Sequence, residues 1–154
     1  SSVDVMSDEA IQDINIVAGC LKLWFRELPE PLLTFQFYPA FIEAAKIEND
    51  FVRQVRLHEQ VNELPDANYA TLRFLMAHLD RVRAQESVNQ MTAHNLAIVF
   101  GPTLLRPPNE AVLADMSSKS GGPVHLQDMG YQCKAIETIL LKYKDIFVEG
   151  DEDK

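Results

Sequence analysis

Apolar side chains recur at intervals of three and four along most of this chain, and no stretch alternates convincingly with period two. That spacing gathers apolar groups on one stripe of a 3.6-residue helix and denies a strand its dry face. The fold class that follows is all-α, a multi-helix bundle. The first helix runs from about Gln12 to Leu28, with Ile14, Val17, Ala18, Leu21, Phe25 and Leu28 as its stripe. Pro29 and Pro31 end it, since proline has no amide proton and disfavours helical geometry just before it.

The same reading divides the rest. Thr34 stands where an N-cap would, ahead of a short second helix carrying Phe37, Tyr38, Phe41, Ile42 and Ala45. Asn49 or Asp50 caps a third, in which Val52, Val55 and Val61 lead down to Leu64. Beyond Pro65 a fourth runs from Asp66 to about Gln85. It is the most strongly periodic, with Tyr69, Leu72, Leu75, Met76, Leu79 and Val82 on one side and Arg73, Asp80, Arg81 and Arg83 free to face solvent. It is expected to be a central packing helix. Thr92 caps a fifth, through Leu96, Val99 and Phe100, which Gly101 and Pro102 stop. A last helix spans about Leu126 to Phe147, with Met129, Ile136, Ile139, Leu140, Tyr143 and Phe147 along it. One domain over 12–147 is expected, with residues 1–11 a flexible leader and 148–154 an acidic tail that frays. Between the last two helices, 106–124 turns polar, and SSKSGGP at 117–123 has the composition of a mobile surface loop.

Charge narrows the partners. The 154 residues hold 14 Lys plus Arg against 23 Asp plus Glu, a formal charge of -9, which repels phosphate backbones and anionic membranes. No apolar run approaches the ~20 residues of a membrane span, and SSVDVMSDEA lacks the features of a secretory signal. A cytoplasmic location is the default. Cys20 and Cys133 stand apart in apolar surroundings and read as reduced core residues. His58, His78, His94 and His125 are scattered, with no Cys-x-x-Cys, so no metal is expected. No phosphate loop, G-x-G-x-x-G or nucleophile elbow occurs, and no cofactor is implied. His94 beside Asn95 cannot form a relay, because helix neighbours point about 100° apart. The chain reads as a helical binding module rather than a self-contained enzyme.

Two segments sharpen that reading. DINIVAGCLKLWFRELPEPLLT, residues 13–34, resembles the L-K-x-[WYF]-[FL]-R-x-L-P-x-P-L signature of Rho GTPase-activating (RhoGAP) domains. MTAHNLAIVFGPTLLRPP, residues 91–108, resembles the family's N-L-[AG]-x-[VC]-F-[GA]-P-x-L-[LM]-R signature at the expected distance downstream. FYPAFIEAAKIEN and LPDANYATLRFLMAHLDRV between them are similar to the breakpoint-cluster-region and chimaerin branch. The resemblance covers 13–147 and implies the family's all-helical fold. It also implies an arginine-finger loop, G-[IL]-[FY]-R-x-[SPN]-G, before residue 13. No such loop occurs in the chain, and Arg26, Arg53, Arg56, Arg73, Arg81, Arg83 and Arg106 all stand in other contexts. No catalytic residue is therefore assigned, and the sequence reads as the larger, rear part of such a domain.

The resemblance assigns GTPase contact to Lys22 and Arg26, which match the basic pair of the first signature, and to Asn95, which matches the asparagine of the second. Bottom-up reasoning agrees in part. Lys22 and Arg26 share a helix face at i and i+4, a like-charge arrangement that costs roughly 0.2–0.5 kcal/mol unless an anion relieves it. The competing structural role is complementing the helix dipole, worth about 0.3–1 kcal/mol. For Asn95 the competing role is a helix-ending structural amide. Pro102 lies beside this face, although shaping the turn after the fifth helix is its simpler role. Trp24 and Phe25 are adjacent, so one faces the core and the other can be partly exposed, with core filling the simpler role for both.

The function implied is partial GTPase activation, by docking on the switch regions of a Rho- or Rac-type small GTPase in its GTP-bound form. Promoting hydrolysis would need the finger-bearing segment. The rival is a pseudo-activator or scaffold that uses the same face only to hold a GTPase or another protein. A domain without its leading helices would also expose apolar surface and invite self-association.

Overall fold

The computed structural model describes residues 16–107 and 124–147 of the chain. In order these form α1 (16–26), α2 (Tyr38–Ala45), α3 (Asp50–Asn62), α4 (Asp66–Ala84), α5 (Glu86–Asn89), α6 (Ala93–Leu104), α7 (Val124–Leu141) and α8 (Tyr143–Ile146). Among the described residues there is no strand. The all-α expectation is met. The expected leader, the 117–123 loop and the acidic tail lie outside the described residues.

The axis of the bundle is α7. α2, α3, α4 and α6 all pack on it, and its Gln132, Ala135, Ile136, Thr138, Ile139 and Leu140 are buried. α4, expected from its regular period to pack centrally, contacts both α6 and α7. α4 does bury Leu72, Leu75, Met76 and Leu79, but Phe74 is 74% exposed, so one flank of the helix lacks cover. The closest pairing is between α6 and α7. A Cβ on Gly101 would lie 3.0 Å from the backbone of Cys133, and His94 Nδ1 lies 3.1 Å from Glu137 Oε1 further along, so the two helices run antiparallel. A larger residue there would push the two backbones apart by a few tenths of an ångström.

That contact corrects the reading of Gly101 and Pro102 as a stop. α6 continues through both to Leu104, and Leu105 N still donates to the Gly101 carbonyl at 3.0 Å. Pro102 removes one donor, the one that would have bonded the Ile98 carbonyl. Ile98 is exposed, so water can serve that carbonyl instead. The N-cap readings fared better. Thr92 Oγ1 accepts from Asn95 N at 3.1 Å, and Asn49 Oδ1 accepts from Val52 N at 2.9 Å.

Other departures have local causes. Thr34 does not cap α2, which starts after Phe37. It sits at φ 68, an outlying conformation for a β-branched residue, while its Oγ1 accepts from Phe37 N at 3.2 Å. In α3 the buried stripe is Arg53, Leu57 and Val61, continuing to Leu64, while Val52 and Val55 are exposed. Arg53 can take a core position because each arm of its guanidinium is satisfied. Nε donates to Thr138 Oγ1 at 3.1 Å, one Nη to the Ile47 carbonyl at 2.7 Å, and the other to Asp50. Met129 is exposed on α7, and the last helix breaks at Lys142 into α7 and α8. The one-turn α5 has no apolar period to announce it.

Candidate functional site

α1 owes its place to few groups. Over 16–26 only Phe25 is buried, with Ala18 and Leu21 half-buried. Val17, expected in the stripe, is exposed, and Ile14 lies outside the described residues. Trp24 is 57% exposed, which corrects the core role given to it, and it packs edge-on against Phe25 with ring centroids 4.8 Å apart. Cys20 is exposed rather than in the core. Cys133 is half-buried, and its thiol pKa is raised by burial first and by the charge of Glu137 second.

The line of α1 follows that of α6. Val17, Ala18 and Leu21 share a cavity of about 150 Å³ with Leu96, near the start of α6. The Arg106 side chain, just past the end of α6, reaches the Leu28 carbonyl at 2.7 Å. The two helices therefore run alongside each other in the same direction, and they bring the two signature segments into one region.

Within that region Lys22 and Arg26 are exposed on α1, and among the described residues neither has an ion-pair or hydrogen-bond partner. Asn95 is exposed in the first turn of α6, and its Nδ2 donates to the Gln90 carbonyl at 3.2 Å. Its amide oxygen accepts no hydrogen bond among the described residues. The turn before it is firmly built. Buried Asn89 donates to the Val82 carbonyl at 2.9 Å and accepts from Met91 N at 2.8 Å, and Gln90 takes φ 62. Asn95, Ile98 and Pro102 follow at i, i+3 and i+7 on one side of α6, the first two exposed and Pro102 half-buried. The region can present two cations, an amide acceptor and a small apolar ridge.

Sequence reasoning missed the apolar groove flanking this region. Leu21, Trp24, Phe25, Phe74, Leu75 and His78 are among the residues lining a groove of about 410 Å³ between α1 and α4. The signal available was adjacency, because Trp24 and Phe25 cannot both face inward on one helix. Among the described residues no group of three or more His, Cys, Asp or Glu could hold a metal ion. Nor is any of their helices long and apolar enough to cross a membrane.

The profile of the RhoGAP domain matches residues 1–109. Beta-chimaerin of Rattus norvegicus is 48% identical over 134 residues, 87% of this chain and 42% of its own length. The Breakpoint cluster region protein of Rattus norvegicus is 50% identical over 105 residues, 68% of this chain and 8% of its own length. This chain thus spans less than half of either relative. The crystal structure of human Rho GTPase activating protein 15 superimposes with a TM-score of 0.72 at 36% identity, covering 92% of this chain and 62% of that one.

Proposed function

The chain belongs to the RhoGAP domain family, in its chimaerin and breakpoint-cluster-region branch, and from that membership we propose that it docks on the switch regions of a GTP-bound Rho- or Rac-type small GTPase in the cytosol. The observation that carries the reading is the bare pair Lys22 and Arg26. In a chain of charge -9, two exposed cations four residues apart, without a carboxylate partner among the described residues, are in want of an anion. Carboxylates on a partner surface supply it, and such complementarity steers encounter and fixes register. The free oxygen of Asn95 then accepts a hydrogen bond from the same partner, and Pro102 packs at the edge.

Hydrolysis itself belongs to the GTPase, which holds the nucleotide and magnesium. An activator adds an arginine that stabilises charge in the transition state, worth on the order of 10³ to 10⁵ in rate. This sequence holds no G-[IL]-[FY]-R loop, so by itself the chain binds but accelerates little, and it promotes hydrolysis when joined to a finger-bearing segment. A second reading is a scaffold that uses the same face to hold the GTPase without activating it. A third behaviour, self-association, is favoured by the exposed rings of Trp24 and Phe74.

The test is a titration of the chain against Rho-family GTPases loaded with a non-hydrolysable GTP analogue. Lys22→Ala and Arg26→Ala are each expected to weaken binding by about tenfold or more, the scale of losing a charged interface contact. Unchanged binding by both variants sinks the assignment. Sedimentation of the free chain separates self-association from a monomer that docks.

A further inference from the structure

Arg106 closes the second signature, yet its side chain acts on the first. It is half-buried, and Nη2 donates to the Leu28 carbonyl at 2.7 Å. That carbonyl lies just past the end of α1, where helix geometry leaves acceptors without partners. A charged donor makes a stronger bond there than a neutral one. Beside it, Nε is buried with no partner among the described residues. A leucine would avoid that cost, so the position is using the reach of the donor rather than simply filling space.

The chain downstream of Leu28 is held at the same end of the bundle. Leu33 N donates to the Leu104 carbonyl at 3.1 Å, and Asn68 Nδ2 to the Leu32 carbonyl at 2.8 Å. Thr34 keeps φ 68, a strained conformation that persists only where the surroundings determine it. Arg106 is thus the polar tie nearest α1 in a set fastening the proline-bearing connector to α6 and α4. α1 itself contributes one buried residue over 16–26.

We propose that Arg106 is a positioning residue for the docking face: by holding the Leu28 carbonyl it sets the rotation and register of α1, and so aims Lys22 and Arg26. This rests on the GTPase-docking reading above. The two signatures are then mechanically one unit, because the last residue of the second holds the cations of the first in place.

Two variants and two readouts test it on the full chain. Arg106→Met keeps the stem and removes the donor, whereas Arg106→Lys keeps a donor. Arg106→Met is expected to weaken binding to an analogue-loaded Rho-family GTPase by about tenfold, with Arg106→Lys regaining at least about threefold of that. In an Arg26→Ala background Arg106→Met is expected to add only about threefold, since of the two side chains it aims only Lys22 remains. Trp24, the only tryptophan and two residues from Arg26, reports α1 directly. Its quenching by acrylamide is expected to rise in Arg106→Met and fall back in Arg106→Lys. A full tenfold loss in the Arg26→Ala background, or wild-type quenching in Arg106→Met, overturns the proposal. If the wild-type chain binds no Rho-family GTPase, the docking reading fails, and Trp24 quenching alone decides whether Arg106 positions α1.

Discussion

α6 and α1 each carry a signature segment, but the bundle holds them in opposite ways. α6 is pressed against α7 so closely that Gly101 meets the Cys133 backbone, and Leu96, Ala97, Phe100 and Leu104 are all buried. α1 lies outside, one ring deep, with Trp24 and two cations turned outward. The difference separates two uses of one kind of motif. The second signature builds the platform and offers Asn95 at its first turn. Residues 16–30 of the first signature are mostly surface, whereas Pro31, Leu32, Leu33 and Thr34 after them are buried.

That contrast can be broken most forcefully in the platform. Phe100→Ala, at a fully buried ring, is expected to cost about 3–5 kcal/mol of stability, read from the midpoint of urea unfolding. Phe25→Ala is expected to lower the same midpoint by less than half as much, because α1 can detach while the rest stays folded. Its effect should appear as loss of hydrogen-exchange protection in residues 16–26. Equal losses in the two variants would make α1 part of the core after all.

Gly101→Ala tests the close approach. The added methyl meets backbone atoms of Cys133 at 3.0 Å, which cannot rotate away. Overpacking of about 1–3 kcal/mol outweighs the roughly 1 kcal/mol that alanine gains in a helix, so the melting temperature should fall. A rise would mean that α6 and α7 are further apart than described.

The smallest effect on stability is expected where the effect on function is largest. Lys22→Ala or Arg26→Ala relieves a like-charge pair and should leave unfolding within about 0.5 kcal/mol of wild type, on the stabilising side if anywhere. A loss above about 1 kcal/mol from either would mark the cation as structural, complementing the helix end rather than awaiting a partner.

How much of this was legible follows from what each signal encodes. Period and punctuation gave the all-α class, most helix positions and the caps at Asn49 and Thr92, because these depend on neighbours in sequence. They failed where a distant group decides. Gly101 reads as a breaker until α7 is laid against it, and the burial of Arg53 depends on Thr138 and the Ile47 carbonyl as its partners. Trp24 failed for a third reason, since hydrophobicity marks what can be buried but not whether a neighbour covers it. For the site, the motifs supplied Lys22, Arg26 and Asn95. The tie from Arg106 to Leu28 joins residues 78 apart in sequence and was invisible to any local pattern.

The most direct test of the central claim is single-turnover GTP hydrolysis by a Rho-family GTPase stimulated by an intact RhoGAP domain, with this chain added in increasing amounts. The account predicts that the chain barely accelerates hydrolysis by itself, slows the stimulated rate by occupying the switch regions, and loses that inhibition in Lys22→Ala and Arg26→Ala. Strong acceleration by the chain alone, or a stimulated rate unaffected at saturating chain, would contradict it.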